Sequence, residues 1–598
     1  MGSVKKIGGI EMKRYLVLLM MILLMAMSAP SPAVFAGGEG FIDVPKGDWS
    51  EVYIYQLKEL NITTGKGKGV FGYNEYITRG EFLTFLIRTL DIDTDIPRAA
   101  QSFADVKTYH WYAPFVNAGL SKEIILMDEY PGERFVPNQF ITREEMAVMI
   151  IRALDYEYLA RLIEPQPSRF DDVKNYKGHI ALAKDLGIIN GKSERLFVPR
   201  DNALRQEAAA MLIRMYNALN YRVGDLNGFY AIDSYSQIDK TSVFDTVSYG
   251  WSRIQYSPKS GQVELTTGLP ASDYPFYIPE GYQKVIDEAD ENGVEKYLMV
   301  FGTNEEVIEA DEERIGIISR LLGDAKATQN LIESVSKQVY DGQQDELAIG
   351  FDGVVIDFEA LRDVKNDKAQ FVSFLAALKE ELKKGNKKLV VCVHPKRQPG
   401  QRFFDGYDYK QIGEIADKVI LMAHDYAPHR LKESEKAFFT GDTPLAPIKD
   451  IYYALRYATD KEQGIPRDKL LLQVSFDTVQ WQFQNGEIMN DTAYHPTYDI
   501  VKERMKDHLV RNKEINYSTV SQTPYFVFEE RNKRIRNIIW YEDARSIQAK
   551  IDLANMFGLR GISVWRLGSI PDFEDSKSQR QSHYLNVWPL FEDIKNER

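Results

Sequence analysis

The stretch Phe351-Asp352-Gly353-Val354-Val355-Ile356-Asp357-Phe358-Glu359 decides how the second half of this chain is read. An apolar run ends in two acids, Asp357 and Glu359, standing two residues apart. Successive side chains of a strand point to opposite faces, so these carboxylates share one face while Val354, Ile356 and Phe358 fill the other. A barrel strand packed under helices has this pattern. Two carboxyls that close cannot both ionise cheaply, which keeps one of them protonated near neutrality. A protonated glutamic acid beside an ionised aspartate is equipment for breaking a glycosidic bond.

Outward from that stretch, apolar runs recur at 229–232, 246–251, 297–301, 354–358, 389–393, 418–422, 470–474 and 561–565. Helical patterns lie between most of them, for example over 371–382 and 544–557. Eight strand–helix units, with an enlarged segment before the last strand, predict an α/β TIM (β/α)8 barrel over 225–598. Catalytic groups of such a barrel sit at strand C-termini, where Asp357 and Glu359 fall.

Three motifs in order resemble glycoside hydrolase family 18, the family of chitinases and related N-acetylglucosaminidases. Asp352, Asp357 and Glu359 match its fourth-strand pattern D-G-x-D-x-D-x-E, and Val355 departs from it. Leu421-Met422-Ala423-His424-Asp425-Tyr426 resembles the sixth-strand motif M-x-Y-D, with His424 where the family has Tyr. Gly561-Ile562-Ser563-Val564-Trp565 looks like the last strand, and Trp540-Tyr541-Glu542-Asp543-Ala544-Arg545-Ser546 like the segment before its helix.

The resemblance implies a retaining, substrate-assisted mechanism in which the sugar's own acetamide attacks carbon. Glu359 would be the acid and base, and Asp357 would hold the acetamide N–H. Asp425 and His424 would position the acetamide, Trp565 would floor the sugar site, and Asp352, Met422 and Tyr426 would complete the substrate-binding set. It implies no metal and no cofactor. The alternative reading, kept open by Val355 and His424, is a catalytically inactive barrel that only binds glycan. His394 and Lys396 could line the cleft, and Trp251 and Trp481 are candidate platforms for further sugars.

The N-terminal third is a triple repeat. Phe41-Ile42-Asp43-Val44, Phe103-Ala104-Asp105-Val106 and Phe170-Asp171-Asp172-Val173 each precede a helical pattern, an aromatic–proline loop and a second helix. The second helices open at Ile77-Thr78-Arg79-Gly80-Glu81, Ile141-Thr142-Arg143-Glu144-Glu145 and Ala203-Leu204-Arg205-Gln206-Glu207. In the first two, Thr and Glu form a capping box.

This order resembles the S-layer homology module, with copies over 37–98, 99–164 and 165–222. The family implies an all-α pseudo-trimer whose grooves hold an anionic secondary cell-wall polymer. An arginine fork matches a carboxylate or phosphate, so Arg79, Arg143 and Arg205 are ligand candidates. Asp43, Asp105, Asp172, Trp49 and Trp111 are second choices. The third copy departs at Leu204 and lacks a Trp after Asp172. The join over 221–227 is short and not rich in Pro or Ser, so modules and barrel are expected to touch.

A chain of 598 residues predicts several domains. Its net charge of −13 argues against nucleic acid as the main partner. The single cysteine, Cys392, rules out an intramolecular disulfide framework and reads as a buried core thiol. Residues 1–36 read as a signal peptide, with Lys5, Lys6, Lys13 and Arg14 before an apolar run and Val34-Phe35-Ala36 as cleavage site. Met12 is an alternative start. The expectation is an exported, wall-attached protein of a Gram-positive-type bacterium, with no membrane association after cleavage and peptidoglycan ranked ahead of chitin.

Overall fold

The computed structural model describes residues 40–597 except 97–101, 167, 270–274, 311–312, 341–348, 399, 509, 531–532 and 574–582. The expected signal segment lies outside the described residues.

The repeats close into a ring. Their second helices are α1 (Arg79–Thr89), α2 (Arg143–Ala153) and α4 (Arg205–Asn220); α3 (Lys177–Asp185) is the first helix of the third repeat. Thr78 with Glu81, and Thr142 with Glu145, make the expected capping boxes. Leu204 leaves only half of one, Glu207 accepting from its backbone N–H at 3.1 Å. Just before each helix, backbone bonds run cyclically. Ile77 N–H donates to Ala203 O, Ala203 N–H to Ile141 O, and Ile141 N–H to Ile77 O. Each repeat thus supplies the partner that the next one's chain needs.

The eight expected strands are present and closed: β1 (Asp225–Tyr230), β2 (Thr246–Ser257), β3 (Glu295–Thr303), β4 (Gly353–Glu359), β5 (Lys388–Val393), β6 (Lys418–Leu421), β7 (Leu470–Ser475) and β8 (Gly561–Trp565). All neighbours are parallel, and β1 pairs with both β2 and β8. The first strand starts before the expected 229, because its ladder with β8 begins at Asp225 opposite Gly561. Val354, Ile356 and Phe358 face the helices, while Val355 joins Phe229, Met299, Val390, Cys392, Ile420 and Met422 inside the barrel.

The enlarged segment is a five-stranded antiparallel sheet that includes Val479–Gln484 and Ile535–Trp540, inserted between β7 and the helix α6 (Ala544–Phe557). Trp481 is the centre of its core, fully buried with Nε1 donating to Thr443 Oγ1 at 2.8 Å. Trp251 is buried against the outer helices. Neither ring is free to receive a sugar, which corrects that expectation.

Modules and barrel do touch. Asp185, at the end of α3, is buried against the barrel helix α5 (Ile448–Ala458). Its carboxylate accepts from the Tyr452 hydroxyl at 2.6 Å and pairs with Arg169 at 2.9 Å and Arg456 at 3.2 Å. Arg467 donates to its carbonyl at 3.1 Å. A hydrogen bond to a buried charge contributes about 1.5–3 kcal/mol, so Tyr452→Phe is expected to lower stability by that amount. A urea midpoint equal to wild type would show that this contact does not hold the two units together.

Candidate active site

Strand β4 delivers Asp357 and Glu359 to the C-terminal mouth of the barrel, opposite Phe301 and Thr303 of β3. Asp357 is only 3% exposed and stands on the apolar floor of Val355, Val390 and Ile420. Among the described residues its hydrogen-bonding neighbour is the thiol of Cys392 on β5. Among the described residues, its Oδ1 has no partner. Burial pushes this carboxyl up to about 7, against a small lowering from the thiol. Glu359 keeps one face open to the cleft and is raised well above the usual range, first by burial, then by the charges of Asp357, Glu305 and Asp425. The Tyr407 hydroxyl steadies the strand from below, donating to Phe358 O at 2.6 Å.

The segment after β6 supplies the other wall. His424 Nε2 meets Gln473 Oε1 of β7 at 2.8 Å. From Gln473 a polar chain crosses the barrel through Ser563 to Asn227 and Ser248. His424 is therefore anchored to the barrel interior, with Nδ1 buried and unpartnered among the described residues. Asp425 takes a left-handed conformation, φ 62°, and accepts from His429 at 3.1 Å. Burial alone would raise Asp425, but the His429 hydrogen bond and the charges of His429, His424 and His495 outweigh it and hold the carboxyl below its ordinary range. Tyr426 packs beneath the Arg397 guanidinium, 5.0 Å from its ring centre. Met422 belongs to the barrel interior, against which the part-exposed Trp565 packs; Trp565 lies 5.3 Å from the Phe229 ring.

Two sequence-based expectations change here. Asp352 precedes β4 at its N-terminal end, about 20 Å from Glu359 for a strand of this length. Its carboxylate accepts from Lys296 N–H at 2.9 Å and ties β3 to β4, so it does not bind substrate. Lys396 turns its amine to Tyr407 O and the Tyr409 ring, away from the acids. His394 lies flat on Phe404 with ring centres 4.1 Å apart, and burial lowers it to about 3, so it stays neutral.

On the repeats, the three arginines are not free forks. Arg79 pairs with Glu145 at 2.6 Å, Arg143 with Glu207 at 3.2 Å and Arg205 with Glu81 at 2.9 Å, each reaching into another repeat around the ring. All three are buried. The aspartates are loop clamps: Asp43 accepts from Phe71, Gly72 and Tyr73 N–H, Asp105 from Phe135 and Val136, and Asp172 from Phe197 and Val198. These bonds give the aspartates a structural task and explain why each Phe-x-Asp-Val recurs with an aromatic loop. Trp49 and Trp111 are exposed as a ligand surface requires. Trp111 lines a groove of about 610 Å³ with Lys66, Tyr76 and Phe140. A second groove, about 360 Å³, holds Arg79 beside Arg134, which the motif reading missed because it lies in a loop outside the repeated elements.

A closed parallel barrel with a buried and a part-buried acid at the end of its fourth strand is a framework that suits glycosidic-bond chemistry. The chain belongs to the glycosyl hydrolases family 18, whose model matches residues 233–569. The S-layer homology domain matches at 40–83, 102–147 and 169–209, so the ring is built of three such repeats. The cortical fragment-lytic enzyme of Bacillus subtilis (strain 168) is 28% identical over 227 residues, 37% of this chain and 47% of that protein. The amylopullulanase of Thermoanaerobacterium thermosulfurigenes is 34% identical over 186 residues, 30% of this chain and 10% of that protein. The chain thus spans about half of one relative and a tenth of the other. Among solved structures, the spore cortex-lytic enzyme SleL of Bacillus megaterium QM B1551 aligns with a TM-score of 0.46 at 20% identity, over 72% of this chain and 86% of that one.

Proposed function

We propose that this protein is a wall-attached glycosidase that hydrolyses an N-acetylglucosamine-containing glycan, peptidoglycan in particular, outside the cell. The observation that carries the reading is the pair at the end of β4: a glutamate whose carboxyl is pushed well above its ordinary range by burial and neighbouring acids, beside an aspartate whose buried Oδ1 has no partner among the described residues. Glu359 gives its proton to the glycosidic oxygen as the bond to C1 breaks. The acetamido carbonyl oxygen bonds to C1, and Asp357 accepts the acetamide N–H and stabilises the oxazolinium. Glu359 then takes a proton from water, which attacks C1 and restores the acetamide with configuration retained. Asp425 and His424 flank the acetamide, and Trp565 stacks under the ring. The name of the Bacillus subtilis relative supports a wall substrate. The three repeats support attachment to an anionic wall polymer through the two grooves.

The pair titrates as a unit, which makes the pH profile a test. Activity requires Asp357 ionised and Glu359 protonated. It is expected to fall on the acid side as the pair takes up its second proton and on the alkaline side as it loses its last, with both limbs displaced upward because burial disfavours the charged forms. A kcat/KM profile flat from pH 4 to neutrality would contradict this assignment of the two acids.

A further inference from the structure

A cavity of about 380 Å³ is lined by Gln237, Asp477, Thr478, His495, Ser569 and Arg566, the chain neighbour of Trp565, among others. It lies over the ends of β1, β7 and β8, across the barrel from Glu359. Its walls are fixed. Gln237 bridges Gly568 N–H and Ile570 O, both at 2.7 Å, and His495 Nδ1 lies 2.6 Å from Thr478 O. Arg566 is the exception. Its guanidinium makes no hydrogen bond or ion pair among the described residues, and Nη1 is buried without a partner. Asp477 and Asp233 contribute field, yet Asp477 is turned toward the Ser475 hydroxyl at 2.6 Å. Leaving a cation half-buried and unpaired costs free energy that a protein rarely forgoes without a ligand to recover it.

We propose that this cavity is a subsite for the sugar next to the one stacked on Trp565, and that Arg566 binds a carboxylate carried by that sugar. The inference rests on the glycan-hydrolase reading and deepens it, because it selects a glycan with acidic substituents over a neutral one. A guanidinium fork matches a carboxylate with two parallel hydrogen bonds. The exposed acids Asp477, Asp499 and Asp572 at the rim accept from sugar hydroxyls. In peptidoglycan the carboxylate has two sources, the lactyl group of a peptide-free strand and the acids of the stem peptide.

The test is equilibrium binding in the Glu359→Gln background, which needs no turnover. Probes are peptide-free glycan strands, the same strands with the lactyl carboxyl amidated, strands carrying stem peptides, and chitin oligomers. Arg566→Gln is expected to weaken peptide-free strands about tenfold relative to chitin oligomers and to erase the difference between free and amidated strands. Arg566→Lys recovers part of the loss, since it keeps the charge without the fork. If only peptide-bearing strands respond to Arg566, the stem acid is the ligand. Equal affinities for all probes in both proteins would overturn the subsite. A wild type silent on every glycan would instead overturn the proposed hydrolysis, and the binding comparison would still decide Arg566.

Discussion

Glu359→Gln is expected to cut the release of new reducing ends from peptidoglycan by about a hundred- to ten-thousand-fold, the share of a rate that a positioned acid–base group supplies. The substitution keeps shape and hydrogen-bonding capacity and removes the proton, so glycan binding persists. It is also expected to stabilise the fold. Burial and neighbouring acids hold this carboxyl protonated to a higher pH than the unfolded chain would. Its contribution is therefore complete below the unfolded value and is lost as pH rises through the folded one. The amide does not ionise, so the gain in urea midpoint should be largest in alkaline buffer. A variant that is inactive and less stable at every pH would indicate a structural lesion rather than a lost proton donor.

The second large effect is in the repeats. Arg143→Ala is expected to destabilise the ring by about 3–5 kcal/mol, as removal of one partner from a buried ion pair does. The guanidinium pairs with Glu207, donates to Phe197 O at 2.9 Å and Asn190 O at 2.8 Å, and stacks 4.8 Å from the Phe197 ring. Truncation strands two carbonyls and takes from the Glu207 carboxylate one of its two cations, leaving it Lys192, at a junction between repeats. Because the backbone bonds are cyclic, a break there loosens all three contacts. Retention on wall sacculi should fall with the unfolding midpoint. A loss of retention with the midpoint unchanged would return Arg143 to the role of direct ligand.

Much of the barrel was legible because most of its strands carry an apolar run, and the period-two pattern put Val354, Ile356 and Phe358 on the face that packs under the helices. The same alternation, applied to β5, puts Cys392 on the face of Val390 and so inside the barrel, where its thiol meets Asp357. Asp352 misled because motif neighbours need not be spatial neighbours: a strand carries its two ends to opposite faces of a barrel. The ion pairs of the three arginines were not legible, because their partners lie in another repeat, which no local pattern reveals. Arg566 and His429 carry no motif. Their roles follow only from the loops that the closed barrel brings together.

The most direct test of the account is the chemical identity of the end released from purified peptidoglycan. Digests are reduced with borohydride, hydrolysed and separated. A barrel acting through the acetamide of N-acetylglucosamine predicts glucosaminitol, the hydrolysis product of N-acetylglucosaminitol, as the new end, absent from the Glu359→Gln digest. Muramitol in its place, or new ends that persist in the variant, would contradict it.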